Sequence, residues 1–253
     1  MRRLLLLLLL VLPVRAEDIP PGQRLSGFET MGAEAQAMQR DDFANPAMLS
    51  VREGEALWSA APAEGGPSCQ SCHGGPATMR GVAARYPAFE TRQGAAVDLA
   101  GRIRLCQQDR QGVAPAARES GALLALEALV ALQSRGLPLA PPGDARLDAA
   151  LARGRALYTT RFGQLDLACI HCHDRNRGKS LGGTIIPQGH PTGYPLFRME
   201  WQATGSLHRR LRNCMAGVRA EPFPPGAPEM IDLELYLKHR AAGMMMDAPA
   251  VRP

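Results

Sequence analysis

The chain has 253 residues, which suits two ordinary domains, with 45% apolar residues and a formal net charge of +5. Without Arg2, Arg3 and Arg15, which fall in a leader described next, 26 basic residues face 24 acidic ones, so nothing argues for nucleic acid as a partner. Lysine is confined to Lys179 and Lys238, so nearly all positive charge is arginine, whose planar fork suits carboxylates and oxyanions.

In chain order, Met1-Arg2-Arg3 runs into an apolar stretch from Leu4 to Leu12, then Pro13-Val14-Arg15-Ala16. A charged start, a short apolar run and small residues before a cut after Ala16 predict a signal peptide over residues 1–16 and a periplasmic protein. That run is too short to span a bilayer, and no later stretch is long enough. Residues 17–46 form an N-terminal extension. Gly54-Glu55-Ala56-Leu57-Trp58-Ser59 then leads to Cys69-Gln70-Ser71-Cys72-His73. This Cys-x-x-Cys-His run is the attachment site for c-type haem: two thiols bind the haem vinyl groups, and the adjoining His is the proximal iron ligand.

One hundred residues later the pattern returns. Gly154-Arg155-Ala156-Leu157-Tyr158-Thr159 leads to Cys169-Ile170-His171-Cys172-His173. A zinc knuckle would supply its second ligand pair at short spacing, which this chain does not do. Cys69, Cys72, Cys169 and Cys172 are therefore read as covalent attachments for two haem c groups, with His73 and His173 as axial ligands. Asp144 reads as an N-cap, with Leu147, Leu151, Gly154 and Leu157 on one helical face. Gly54 and Gly154 would let another helix cross closely. Each half ends in an amphipathic helix, from about Ser120 to Gly136 and from Pro228-Glu229 toward Gly243, with Pro suited to the first turn. The Pro-rich stretch from Leu137 to Gly143 reads as a linker, and Met244-Met245-Met246 as a loose tail. No strand pattern of any length stands out. The expected fold is all-α: two tandem cytochrome c-like domains, 47–140 and 141–253.

The far side of each iron is the open question. Between Gly74 and Ala168 there is no His or Lys, and Met79 follows His73 too closely to wrap round the ring. Elimination leaves Cys106, and thiolate is a known axial ligand. The second half offers His190, Met199, His208, Cys214, Met215, Met230 and His239. Analogy favours Cys214, which lies 41 residues after His173, against 33 from His73 to Cys106. Each Cys has an Arg four residues earlier, Arg102 and Arg210, on the same helical face. The alternative is a disulfide between Cys106 and Cys214 in an oxidising compartment. His190 and His208 read as supporting or surface residues. Arg209, Arg212 and Arg219 lie near Arg210; the four could neutralise an anion or form a solvated helix face.

The run Gln188-Gly189-His190-Pro191-Thr192-Gly193-Tyr194-Pro195, with Trp201-Gln202, Gly205-Ser206-Leu207, Arg210-Leu211-Arg212-Asn213-Cys214 and Arg219-Ala220-Glu221-Pro222-Phe223, resembles the SoxA family. The resemblance spans nearly all of the chain after the leader. It implies a dihaem subunit paired with a small monohaem cytochrome, SoxX, as an L-cysteine S-thiosulfotransferase. Such an enzyme couples thiosulfate oxidatively to a cysteine of the SoxYZ carrier and passes two electrons to a cytochrome c acceptor. By the same resemblance, Cys214 is the catalytic residue and carries a persulfide, Arg210 binds substrate, and Cys106 is the distal ligand of the first haem. A dihaem electron carrier with no chemistry of its own is the main competing reading. A dihaem peroxidase, which needs one open iron, is a third.

Overall fold

The computed structural model describes residues 16 and 18–253, so most of the expected signal peptide, residues 1–15, lies outside the described residues. The fold is helix-rich. Helix α1 (Ala33–Arg40) is followed by α2 (Ala47–Ser59) and the five-residue α3 (Cys69–His73). A hairpin of β1 (Ala88–Glu90) and β2 (Ala95–Val97) leads into α4 (Leu99–Cys106), a π-helical turn over Gln107–Gln111 and α5 (Gly121–Leu132). The second half runs through α6 (Asp148–Thr159), α7 (Cys169–His173), β3 (Ser180–Leu181), β4 (Thr184–Ile185), β5 (Leu196–Arg198) and β6 (Ala203–Gly205). It ends with α8 (Leu207–Gly217), α9 (Pro228–Arg240) and β7 (Ala250–Arg252).

The strands correct the all-α expectation. Each is two or three residues long, too short for alternation to register as a sequence pattern. Strands β1 and β5 open matching antiparallel hairpins, with Glu90 opposite Ala95 and Arg198 opposite Ala203. Strand β7 adds to the second hairpin in parallel, with Arg252 opposite Arg198.

In each half, the helix before the haem motif crosses the helix that ends that half. A Cβ on Gly54 of α2 would lie 2.3 Å from the Ala125 carbonyl oxygen of α5, and one on Gly154 of α6 would lie 2.0 Å from that of Asp232 in α9. Only glycine permits such an approach of two backbones. Ser120 caps α5 by accepting from the Leu123 N–H. The Leu/Ala composition of α5 leaves Leu123–Leu126 and Ala128–Ala131 buried, so it is apolar all round rather than amphipathic. Helix α9 starts on Pro228 and Glu229 and ends on Lys238, His239 and Arg240, charges that complement its dipole.

Two segments expected to be loose are packed. In the Pro-rich linker, Leu139 is buried, its N–H donates to the Met244 carbonyl, and its own carbonyl accepts from the Gly243 N–H. The Met246 N–H donates to the Leu137 carbonyl, and Met246 is buried in the core that α2 and α5 build. The apolar side chains of the methionine tail explain the difference: Met244 and Met246 find a core to enter, while Met245 stays exposed.

The halves also share a clamp. Arg118 grips Asp98, the N-cap of α4, with two hydrogen bonds of 2.6 and 2.9 Å. Its neighbour Glu119, at φ 64°, accepts from the hydroxyl of Ser206, the N-cap of α8. Among the described residues, no helix is long and apolar enough to cross a membrane.

Gly154→Ala should cost about 2 kcal/mol through forced overpacking, and so lower Tm by roughly 4–8 °C. Thermal unfolding followed by circular dichroism checks this, and an unchanged Tm would contradict the crossing.

Candidate active site

The second haem motif sits on α7, right after the helix that Gly154 docks. His173 Nδ1 lies 2.8 Å from the Pro187 carbonyl oxygen. A carbonyl only accepts, so Nδ1 carries the proton and Nε2 is left for a metal, as in most metal-binding histidines. The loop is shaped to the ring: Gly189 has φ 78°, and a Cβ there would come within 3.1 Å of His173 Cγ. Gln188 fixes the same loop by accepting from the Leu25 N–H and donating to the Gln23 carbonyl. The Tyr158 hydroxyl donates to Asp174, the residue after His173, at 2.6 Å, and Arg240 pairs with that carboxylate at 2.8 Å. In the first half, Trp58 Nε1 donates to the carbonyl of Gly74 after His73 at 2.8 Å. The repeat thus includes an aromatic side chain that pins the end of each motif helix.

Cys214 lies about two turns beyond Ser206, the N-cap of α8, with Arg210 one turn before it. The His173 imidazole lies close to the Cys214 thiol. Burial raises the thiol's pKa, but the nearby His173 and the charges of Arg210 and Arg198 outweigh it, so the net shift is downward. The donor set is two thiols one helical turn apart, an imidazole of fixed tautomer, and a thiol that shares that imidazole. It fits covalent haem c with His and thiolate ligands.

At the first site, Ser68 caps α3 by accepting from the Ser71 N–H. Cys106 closes α4, and the π-helical turn after it docks back on the motif: Gln111 Nε2 donates to the Pro67 carbonyl at 3.0 Å. Burial and then the nearby Cys106 raise the Cys69 thiol, which places the two together. Cys106 is itself raised, chiefly by burial, against the pull of Arg102 and Arg110. None of the six cysteines is disulfide-bonded, so Cys106 and Cys214 each face their own motif rather than each other.

Exposure does not distinguish the two thiols, since both are half-buried. Charge does. Arg102 is ion-paired with Glu90, and Tyr86 lies near it. Arg210 has no ion pair among the described residues. Its neighbours are committed elsewhere: Arg209 stacks over Trp201 at 4.4 Å and Arg212 donates to the Phe223 carbonyl at 2.6 Å, while Arg219 is exposed in a left-handed turn. Three other ligand candidates are engaged elsewhere: Met230 is in the core, His190 bonds Gln188, and His208 sits 3.1 Å from Glu234 and accepts from the Gly226 N–H.

Arg198 was not singled out by sequence reasoning. The signal was available: Tyr86-Pro87-Ala88-Phe89-Glu90 and Tyr194-Pro195-Leu196-Phe197-Arg198 are a second repeat with its own spacing. The segment from His173 to Tyr194 is longer than that from His73 to Tyr86 and holds the β3–β4 hairpin, which shifts the two repeats out of register.

Comparison with known proteins identifies the family. Residues 53–139 match the SoxA/TsdA cytochrome c domain model, which implies covalently bound haem c. The L-cysteine S-thiosulfotransferase subunit SoxA of Pseudaminobacter salicylatoxidans is 34% identical over 238 residues, covering 93% of this chain and 83% of that protein. The subunit of the same name from Paracoccus pantotrophus is 31% identical over 227 residues, covering 90% and 78%. The crystal structure of SoxXA from P. pantotrophus superposes with a TM-score of 0.87 at 31% identity, over 91% of this chain and 87% of that one. With that extent of sequence and fold in common, the chain belongs to the SoxA family.

Proposed function

We propose that the chain is the haem-bearing subunit of an L-cysteine S-thiosulfotransferase, working in the periplasm with a SoxX-like monohaem partner. In this reading it carries two haem c groups, on Cys69, Cys72 and His73 and on Cys169, Cys172 and His173. Cys106 and Cys214 are the distal ligands. Residues 47–140 and 141–253 form tandem cytochrome c domains after an extension over residues 17–46. The observation that carries the reading is Cys214, beside His173 and one turn from Arg210, which has no ion pair among the described residues.

The chain's residues do the following. Arg210 neutralises and orients the thiosulfate dianion. The sulfur of Cys214, as thiolate or as persulfide, is the nucleophilic centre that splits a hard coupling into two easier steps. First, the terminal sulfur of thiosulfate bonds to the Cys214 sulfur, and two electrons leave. Second, a cysteine thiolate of a SoxYZ-type carrier attacks that terminal sulfur. The bond to Cys214 breaks, its electron pair returns to the Cys214 sulfur, and the carrier keeps an S-thiosulfonate. Haem held at this site would supply a one-electron acceptor for the first step, and the haem of the SoxX-like partner would take the second electron, both then leaving to a cytochrome c acceptor. Glu90 withdraws Arg102 from any such role at Cys106.

Cys214→Ala should abolish thiosulfate-dependent coupling while both haems stay attached. Cys106→Ala should retain turnover. Full turnover by the Cys214 variant would end this reading. Low-temperature EPR of the oxidised, haem-loaded protein should show low-spin His/thiolate signals. His/Met or bis-His signals would make the chain an electron carrier instead.

Gly189→Ala should push the His173 ring off the Pro187 carbonyl and weaken axial ligation of the second haem. The absorption spectrum and redox titration should change for one haem of the two. A spectrum identical to wild type would show that the loop yields instead.

A further inference from the structure

The two hairpins and the helices after them correspond position by position in register and spacing. Glu90 and Arg198 each end the first strand of a hairpin, opposite Ala95 and Ala203. Asp98 and Ser206 each follow the second strand and cap the next helix, α4 or α8. Arg102 and Arg210 occupy the same turn of those helices, and Cys106 and Cys214 the same later turn. In the first half the hairpin residue reaches its helix partner, as the Glu90–Arg102 ion pair shows. In the second half that place holds an arginine. A carboxylate that cancels a guanidinium has become a second guanidinium.

Arg198 is held as an interior residue. Its side chain is 13% exposed, and its backbone is fixed between β6 and β7. Its Nε donates to Glu200 at 2.9 Å, but that carboxylate is 62% exposed, so water screens its charge. Arg198, whose guanidinium also lies 5.7 Å over the Trp201 ring, and Arg210 are both near the Cys214 thiol and Tyr194. Two guanidinium groups near one thiol repel each other, and an anion between them relieves that repulsion. A dianion with several oxygens can take hydrogen bonds from both.

We propose that Arg198 is a second substrate-binding residue, which with Arg210 forms a two-arginine site for the sulfonate oxygens of thiosulfate. The change from glutamate at the first site to arginine at the second is then what confines anion binding to Cys214. The proposal rests on the reading of Cys214 as the place where thiosulfate reacts.

The test uses the haem-loaded complex with its small cytochrome partner and a cysteine-bearing carrier, with thiosulfate varied at fixed ionic strength. Arg198→Gln should raise KM for thiosulfate about tenfold with kcat nearly unchanged, as loss of a charge-assisted hydrogen bond predicts. Arg198→Lys keeps the charge but loses the fork, and should recover most of the affinity. Arg198→Glu rebuilds the first site's ion pair on Arg210. It should weaken thiosulfate use more than Arg198→Gln does, and should remove competitive inhibition by sulfate. Haem content and circular dichroism, measured on each variant, identify any that misfold. If Arg210→Gln raises KM and the Arg198 variants match wild type, the proposal is overturned while the reading of Cys214 stands. If wild type itself gives no thiosulfate-dependent turnover, the reading of Cys214 falls and the proposal falls with it.

Discussion

Everything in this molecule is referenced to two places where helix backbones touch. Gly54 against the Ala125 carbonyl and Gly154 against the Asp232 carbonyl set how closely α2 meets α5 and α6 meets α9. Each motif helix follows the first member of such a pair, so the crossing fixes where its thiols and imidazole stand. Trp58 and Tyr158, in the last turns before the motifs, carry that position across to Gly74 and Asp174. A protein that must hold a large planar cofactor by one covalent helix needs this stiffness, since packed interiors transmit displacement rather than absorb it.

On that common frame the two halves diverge by charge. Both place a cysteine near the end of a capped helix and an arginine one turn before it. One arginine is ion-paired with Glu90, and the other has no ion pair among the described residues. The same scaffold thus carries two different charge arrangements without any change of fold, as expected where differences reside in side chains grafted on a shared architecture.

Much of this was legible in the residues alone. The two Cys-x-x-Cys-His runs, the glycines of the crossing helices, the start of α5 near Ser120 and of α9 at Pro228 all carry local signals that physics translates directly, while Asp144 caps the short 3-10 turn at Ala145–Leu147 that leads into α6. The short strands did not, because two or three residues cannot display a period. Arg198 was hidden for a related reason: its repeat partner is Glu90, of opposite charge, and the β3–β4 hairpin shifts the spacing between the two copies. The packing of Met244 and Met246 depends on a core assembled by distant helices, which no window of sequence contains.

The clamp made by Arg118 and Glu119 bears on how such a duplicated chain can evolve. Two consecutive residues of the first half secure the N-caps of both cysteine-bearing helices, Asp98 in their own half and Ser206 in the other. The first half is thus part of the foundation of the helix that carries Cys214. A descendant could change Cys69, Cys72 and Cys106 without touching this clamp, but not the loop at 118–119. Motif and scaffold in that half are under separate constraints, and a first half without its motif would persist as a brace.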